Sequence, residues 1–471
     1  MIAYIAKNNS LRRIMMKTNM ETRPDYNPMN EGASLLIGSS QINLFPYTYT
    51  GWRDETDSWK KTVYLGAALM NSPILDVTGP DLSRFFNRIC VNNFDIFSIG
   101  RIKHAVICND KGQIMTDGVV MKTAEDTYRT YWLNPILGYL VDKLKKEYDI
   151  VCEDLTGKEY FFQIAGPLSL KVMEKACGCD LHDLAFANHR LIKINDRDVR
   201  ILRLGMTGNL AYEIHGDIND ATVVYSAVWD AGKDFEMRKL GQLAYCMNHT
   251  EGGYPNIHIH YPLPWFESED LGFEGLASYL SQFPWLAYYN YNRRLIGSLG
   301  DDLQSRFVTP IDVGWSSLIR FDHEFTGKAA LELAAKTISR QVVTLEWNAD
   351  DIADVYSSQF RGFEVEPYDF IEDRPNDVFY FGGDQFTYLA DKVVSHDKMV
   401  GISVGRGVSN YYRRMISLAF IEPAYAKEGS ELAIIWGSPG RPQKKIRARV
   451  ARFPYLNFDR NNELNTNSVH E

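Results

Sequence analysis

Apolar residues recur at helical spacing directly after two Gly-Pro pairs. Val77-Thr78-Gly79-Pro80 leads into a stretch in which Leu82, Phe85, Phe86 and Ile89 fall at i, i+3, i+4 and i+7, one face of a helix. Ile164-Ala165-Gly166-Pro167 leads into a second stretch in which Leu168, Val172, Met173 and Ala176 do similar work, and Gly178 is placed to end it. Each unit reads as strand, Gly-Pro turn and helix, with proline where its missing N–H costs nothing. Two such units predict an internal structural repeat.

The polar breaks between apolar runs predict hairpins. Ala105–Cys108 and Gln113–Met115 flank Asn109-Asp110-Lys111-Gly112, and Leu191–Asn195 and Val199–Leu204 flank Asp196-Arg197-Asp198. Asp220–Lys233 reads as an amphipathic helix ending near Gly232. Residues 254–312, rich in Trp, Tyr, Phe and Pro, lack a clear period and read as a long excursion over the body. From Arg340 on, five strands are expected: Arg340–Asn348, Gly401–Gly407, Arg414–Ile421, Ser430–Gly437 and Ile446–Phe453. The fold class is therefore α+β over residues 1–335, in two interleaved subdomains, followed by a β domain over 336–471. The polar end, from Asn461 on, is expected to fray.

Composition narrows the functions. The net charge of −9 is dispersed and there is no basic stripe, so no nucleic-acid partner is expected. No apolar run approaches a membrane span, and the start lacks a secretory core, so a soluble cytoplasmic protein, monomer or homodimer, is expected. The six cysteines form no CxxC pair and read as reduced. His249, His258 and His260 have no acidic or thiol partner at metal-ligand spacing, so no metal is expected. There is no Walker loop, GxGxxG or GxSxG, which leaves nucleotide hydrolysis, dinucleotide redox and esterase chemistry without support. Aromatic residues at 13% suit large cores or a pocket for a flat ligand.

Three segments in order resemble the folate-dependent aminomethyltransferase family, founded on the T-protein of glycine cleavage. They are the doubled Gly-Pro unit, Gly205–Gly216 (GMTGNLAYEIHG) and Arg320–Leu331 (RFDHEFTGKAAL). Within the family the chain is similar to bacterial vanillate and syringate O-demethylases. It shares Tyr245 followed by Asn248 and Glu251, the stretch Val343–Asp351 (VTLEWNADD), and Trp52–Glu55 (WRDE). The resemblance implies a T-protein-like body with ferredoxin-like elements, a C-terminal barrel or jelly-roll-like domain, tetrahydrofolate as cofactor and a small aromatic substrate.

It also implies roles. Glu213 would accept the two adjacent donors on the pterin edge, as a carboxylate accepts a guanidinium; alone it reads as an ordinary strand residue. Gln163, Phe186, Asn188 and Tyr254 match cofactor-pocket positions and otherwise read as core or loop. Asp117 matches the acid that assists transfer at the folate nitrogen. Tyr245, a core tyrosine on spacing alone, would protonate the leaving aryl oxygen as general acid. Two departures loosen the donor. Met70-Asn71 stand where the demethylases carry a His-His pair, and Trp132 stands where they carry a carboxylate-binding arginine, with Arg129 three residues earlier. Asn71, Trp132 and Arg129 are thus the expected substrate contacts. The donor expected is an aromatic methyl ether, with a methylenedioxy ring, a sulfonium or an aminomethyl group as alternatives, and a non-catalytic folate-binding protein as the competing class.

Overall fold

The computed structural model describes residues 28–39, 42–67, 69, 72–257, 259–283, 293–371 and 386–466. Asn71, Met70 and His258 lie outside them.

The two Gly-Pro units anchor two sheets with one plan. In the first sheet the order is Ile102–Cys108, Ile114–Ala124, Thr127–Tyr131, Ile74–Thr78, Val151–Asp154. In the second it is His189–Ile194, Arg197–Leu202, Ala211–Asp217, Glu159–Ala165, Tyr64–Gly66, extended by Arg238–Leu240. In each, the strand before Gly-Pro sits between a hairpin-fed strand and a short strand, which is the edge of the first sheet and in the second is flanked in turn by Arg238–Leu240. The registers match residue for residue: Asp76 faces Arg129 as Gln163 faces Glu213, and Ile74 faces Tyr131 as Phe161 faces His215. Each short strand is exchanged, because it precedes in sequence the Gly-Pro strand of the other sheet. The expected repeat is therefore real, and it is interleaved.

The glycines are required by close approach. Gly79 has φ +146° and Gly166 φ +130°; a Cβ would lie 2.2 Å from the Asp149 carbonyl oxygen in one and 2.4 Å from that of Thr62 in the other. Each glycine thus seats the exchanged strand against the start of its helix. Helix Leu82–Ile89 buries Leu82, Phe85, Phe86 and Ile89, as the spacing predicts. Helix Ser169–Cys177 buries Val172 and Met173 but turns Leu170 inward rather than Leu168, which is only partly covered, and it ends at Gly178 in the left-handed conformation. The second hairpin turns on Asn195 and Asp196, both at positive φ, one residue earlier than the spacing suggested. Helix Ala221–Gly232 is present as expected.

The excursion after Tyr254 folds onto the first sheet, burying Tyr261, Leu263, Trp265 and Phe273 in its core. Helix Lys328–Lys336 spans the expected boundary at 335/336. Beyond it, six strands close a barrel in the cyclic order Phe386–Ser395, Lys398–Ser409, Arg414–Ile421, Gln341–Trp347, Lys444–Ala451, Glu431–Trp436 and back to the first. Strand Arg293–Ile296 adds to it from outside, in parallel with Phe386–Ser395. The shared stretch at Val343–Asp351 proves structural in this setting. Asn348 caps helix Ala349–Ser358 by accepting from the N–H groups of Asp350 and Asp351, and Asp351 holds Arg447.

The expected fraying at Asn461 is a correction. Arg203 is buried, and its guanidinium donates to Asn461, to the Leu464 carbonyl and to the Thr466 hydroxyl. A buried guanidinium needs several acceptors, and this polar segment supplies them, so it is held to the second sheet through Thr466.

Candidate active site

Helix Gln242–Gly252 packs Ala244, Tyr245 and Cys246 into a cluster that also holds residues of both sheets, and helix Trp52–Lys61 pins it at both ends. Glu55 is fully buried. One of its oxygens accepts from Thr48, Tyr49, Thr50 and Gly51, and the other from the N–H of Gly241 at the helix start. At the far end Lys60 pairs with Glu251, both buried, with the Lys60 ammonium 3.9 Å from the centre of the Trp59 ring. Burial pulls the Lys60 pKa down, against the raising effect of Glu251. The loop of the shared GMTGNLAYEIHG segment joins the same anchor, where Asn209 donates to the Trp59 carbonyl and accepts from Thr207. Trp52–Glu55, Glu251 and the loop before Glu213 therefore hold the helix that presents Tyr245.

Tyr245 is buried, its ring edge-on to His249 at 5.3 Å between centres. Tyr254 is half-buried beside them, and its hydroxyl pKa is pushed well up, first by desolvation and then by Asp117, Tyr245 and Glu213. Three of the residues singled out in the sequence, Asp117, Tyr245 and Glu213, are thus within electrostatic reach of a fourth, Tyr254. Asp117, on the inner strand of the first hairpin, accepts from the Tyr261 hydroxyl at 3.3 Å and meets His104 Nε2 at 2.9 Å. That nitrogen lies 2.9 Å from the Tyr254 hydroxyl as well, and the His104 ring packs on Trp315 at 4.6 Å.

Glu213 and Gln163 face each other across the second sheet, both buried, with Gln163 Nε2 donating to Glu213 Oε1 at 3.3 Å. Glu213 Oε2 has no hydrogen-bond partner. His215 Nε2, 3.5 Å from it at ion-pair distance, likewise makes no hydrogen bond. Tyr64 links Glu213 to Asn248: its hydroxyl pKa is raised by burial, then by the Glu213 charge, with Asn248 opposing. Buried polar groups in native proteins are nearly always satisfied, and each exception costs about 1–3 kcal/mol. Glu213 Oε2 and His215 Nε2 are such exceptions, and they could hold a polar ligand. A pterin fits the free Glu213 oxygen, since its edge offers adjacent N–H donors to that acceptor.

The other expected contacts fall out differently. Phe186 is half-buried in the turn before His189–Ile194. Asn188 is engaged by Arg101, which donates to its Oδ1 at 3.0 Å. Trp132 has φ +69° and packs partly buried against the cluster that holds Tyr245. Arg129 is spent elsewhere. It forks onto Asp76 through two 2.7 Å hydrogen bonds and also pairs with Glu159, and against the cost of burial these partners raise its pKa. His260 is held by Thr250 and Asn256, and burial lowers its pKa to about 3, as it does for His249. His104, His215 and Asn248 were given no role from sequence. Only the alternation around Asp117 and Glu213, which puts residues two apart on one face, could have pointed to His215.

Comparison with known proteins agrees with this layout. The GCVT N-terminal domain model matches residues 46–260. The chain is 48% identical over 444 residues to a sesamin methylene transferase of Sinomonas sp., covering 94% of this chain and 96% of that one. It is 30% identical over 433 residues to a syringate O-demethylase of Sphingobium sp., covering 87% and 89%. The crystal structure of the glycine cleavage system aminomethyltransferase T from Bartonella henselae superposes with a TM-score of 0.61 at 16% identity, covering 91% of this chain and 95% of that one.

Proposed function

This chain belongs to the folate-dependent aminomethyltransferase family, and on that premise we propose that it is an enzyme that breaks an aromatic ether and passes the ether carbon to tetrahydrofolate. The observation that carries the reading is the group of unsatisfied buried atoms around Glu213, set within electrostatic reach of Tyr254, which also faces Tyr245 and Asp117. Tetrahydrofolate, when bound, supplies a nucleophilic nitrogen for the carbon. Glu213 and Gln163 hold the pterin edge. Tyr245 gives its proton to the departing aryl oxygen; its unperturbed pKa near 10 is close to that of a phenol, so the proton is shared well in the transition state. Asp117, held by His104 and Tyr261, takes up the proton released where the carbon arrives.

For the donor we favour an uncharged methylenedioxyarene. Two observations support this: the 48% relative is named for sesamin, and Arg129 has its guanidinium committed to Asp76 and Glu159. Transfer from such a ring gives a catechol and 5,10-methylenetetrahydrofolate, and the atoms balance without oxidant or reductant. The second reading is a methoxyarene, giving a phenol and 5-methyltetrahydrofolate, as the name of the 30% relative suggests.

The test is to incubate the purified protein with tetrahydrofolate and each donor class and to follow catechol or phenol release together with the folate product. Catechol with the methylene folate is expected. Phenol and the methyl folate alone would select the second reading, and release without tetrahydrofolate would sink both.

A further inference from the structure

Helix Ser169–Cys177 ends on a cysteine, and the turn after it brings a second cysteine back over the first. Gly178 makes that turn in the left-handed conformation, φ +66°, and its N–H closes the helix on the Glu174 carbonyl at 2.7 Å. Side chains two residues apart on a strand would stand about 6–7 Å from each other. Here Cys177 Sγ lies 2.9 Å from Cys179 Sγ. That is within about an ångström of the roughly 2.05 Å of a disulfide bond.

The chain on both sides of the pair is held by one carboxylate. Glu174, on the last turn of the helix, accepts from the Leu181 N–H at 2.8 Å and meets His182 Nδ1 at 2.8 Å. The two thiols are therefore fixed near each other before any bond forms, which favours an intramolecular step. Both are half-exposed, and a Cβ at Gly178 would meet nothing within 4 Å, so a small molecule can approach them. The remaining cysteines are placed otherwise. Cys90, Cys108 and Cys246 are buried, and burial pushes their thiols up, while Cys152 is exposed on strand Val151–Asp154.

We propose that Cys177 and Cys179 form a redox-active dithiol, a modification site that reduces a low-molecular-weight disulfide and closes into a disulfide of its own. Neither thiol takes part in the carbon transfer proposed above. Cys179, as thiolate, attacks one sulfur of the small disulfide; the S–S bond breaks and the other half leaves as a thiol. Cys177 then attacks the Cys179 sulfur of the mixed disulfide, and the second half leaves as a thiol with the proton Cys177 gave up. Two electrons pass from the protein pair to the small disulfide, and no other reactant is needed. The order follows from the surroundings. Burial, and then the hydrogen bond with Cys179, hold the Cys177 thiol above its ordinary range, so it reacts second, when its target sulfur is already in place.

The experiment treats the reduced full-length protein with oxidised glutathione under anaerobic conditions, quenches with N-ethylmaleimide and maps the peptides by mass spectrometry. The peptide that carries Cys177 and Cys179 is expected to lose both alkylation sites and to weigh two hydrogens less, and dithiothreitol should restore both sites. Two alkyl groups on that peptide, under conditions in which Cys152 has taken up glutathione, overturn the proposal. A glutathione adduct that persists on the wild-type pair overturns it as well. Cys177→Ser should stop at a stable glutathione adduct on Cys179, because the second thiol is missing. An unmodified Cys179 in that variant overturns its assignment as the attacking thiol.

Discussion

The two sheets place the same pair of positions side by side and fill them to opposite ends. In the first, Asp76 faces Arg129, and each finds its opposite charge. In the second, Gln163 faces Glu213, and the carboxylate keeps one oxygen without a partner. The backbone register, the glycine after the strand and the exchanged short strand are alike in both. The difference is one of side-chain chemistry on a common scaffold. The first copy uses the position to hold the molecule together, since Arg129 also reaches Glu159 on the other sheet. The second sets an amide against a carboxylate instead. A duplicated fold can thus put a stabilising charge pair and an amide–carboxylate pair at equivalent sites.

The sharpest way to break this comparison is to neutralise the carboxylate of the second pair. Glu213→Gln should weaken tetrahydrofolate binding by at least about a thousandfold, because an amide cannot accept from two adjacent donors. Its melting temperature should hold or rise, since an orphaned buried charge has been removed. A large loss of stability with binding preserved would place Glu213 with Arg129 as a structural group.

Tyr245→Phe should lower kcat by roughly 10²–10³ while leaving tetrahydrofolate binding by calorimetry unchanged. That pattern separates the chemistry, on the pinned helix, from the binding carboxylate on the sheet. Full activity in the variant would remove Tyr245 from the mechanism.

Arg129→Met is the mirror of the Glu213 variant. Removing one partner of a mostly buried pair leaves Asp76 and Glu159 without their cation and should cost roughly 3 kcal/mol in denaturant titrations. The affinity for the aromatic donor should not change. A raised KM for a carboxylate-bearing donor, with stability intact, would instead make Arg129 a substrate contact.

The smallest effect concerns pH. Burial lowers the pKa of both His249 and His260 to about 3, so both rings stay neutral in the folded protein, while the unfolded chain takes up protons below about 6.5. The stability they contribute is fully present above that pH and is lost as the pH falls toward 3, by up to roughly 1.4 kcal/mol per pH unit for each group. His249→Gln should flatten this acid slope in thermal melts, and an identical slope would show that His249 is not buried neutral.

Local chemistry wrote much of this protein into its chain. Glycine is required where two backbones touch, so Gly79-Pro80 and Gly166-Pro167 could be read as equivalent punctuation, and Leu82 to Ile89 could be read as a buried face because a helix has one period. Glu213, Asp117 and Tyr245 could be singled out as candidates through the motifs that surround them. The motifs did not say which of their residues bind and which brace; Glu55, Asn348 and Glu251 turned out to brace. Arg129 was the clearest limit. Nothing near it in sequence reveals that Asp76, 53 residues back, and Glu159, 30 residues on, would claim its guanidinium. His104, His215 and the polar segment under Arg203 were hidden for the same reason.

The sequence by itself determined the period of each element, the two Gly-Pro turns and the candidates for chemistry, because those depend on residues a few positions apart. The tertiary structure decided which short strand joined which sheet, and with it which buried polar atoms found partners. Partnering is a property of groups brought together from distant parts of the chain. Glu213, one of the carboxylates with an oxygen left outside that matching among the described residues, is the one around which the proposed site is built.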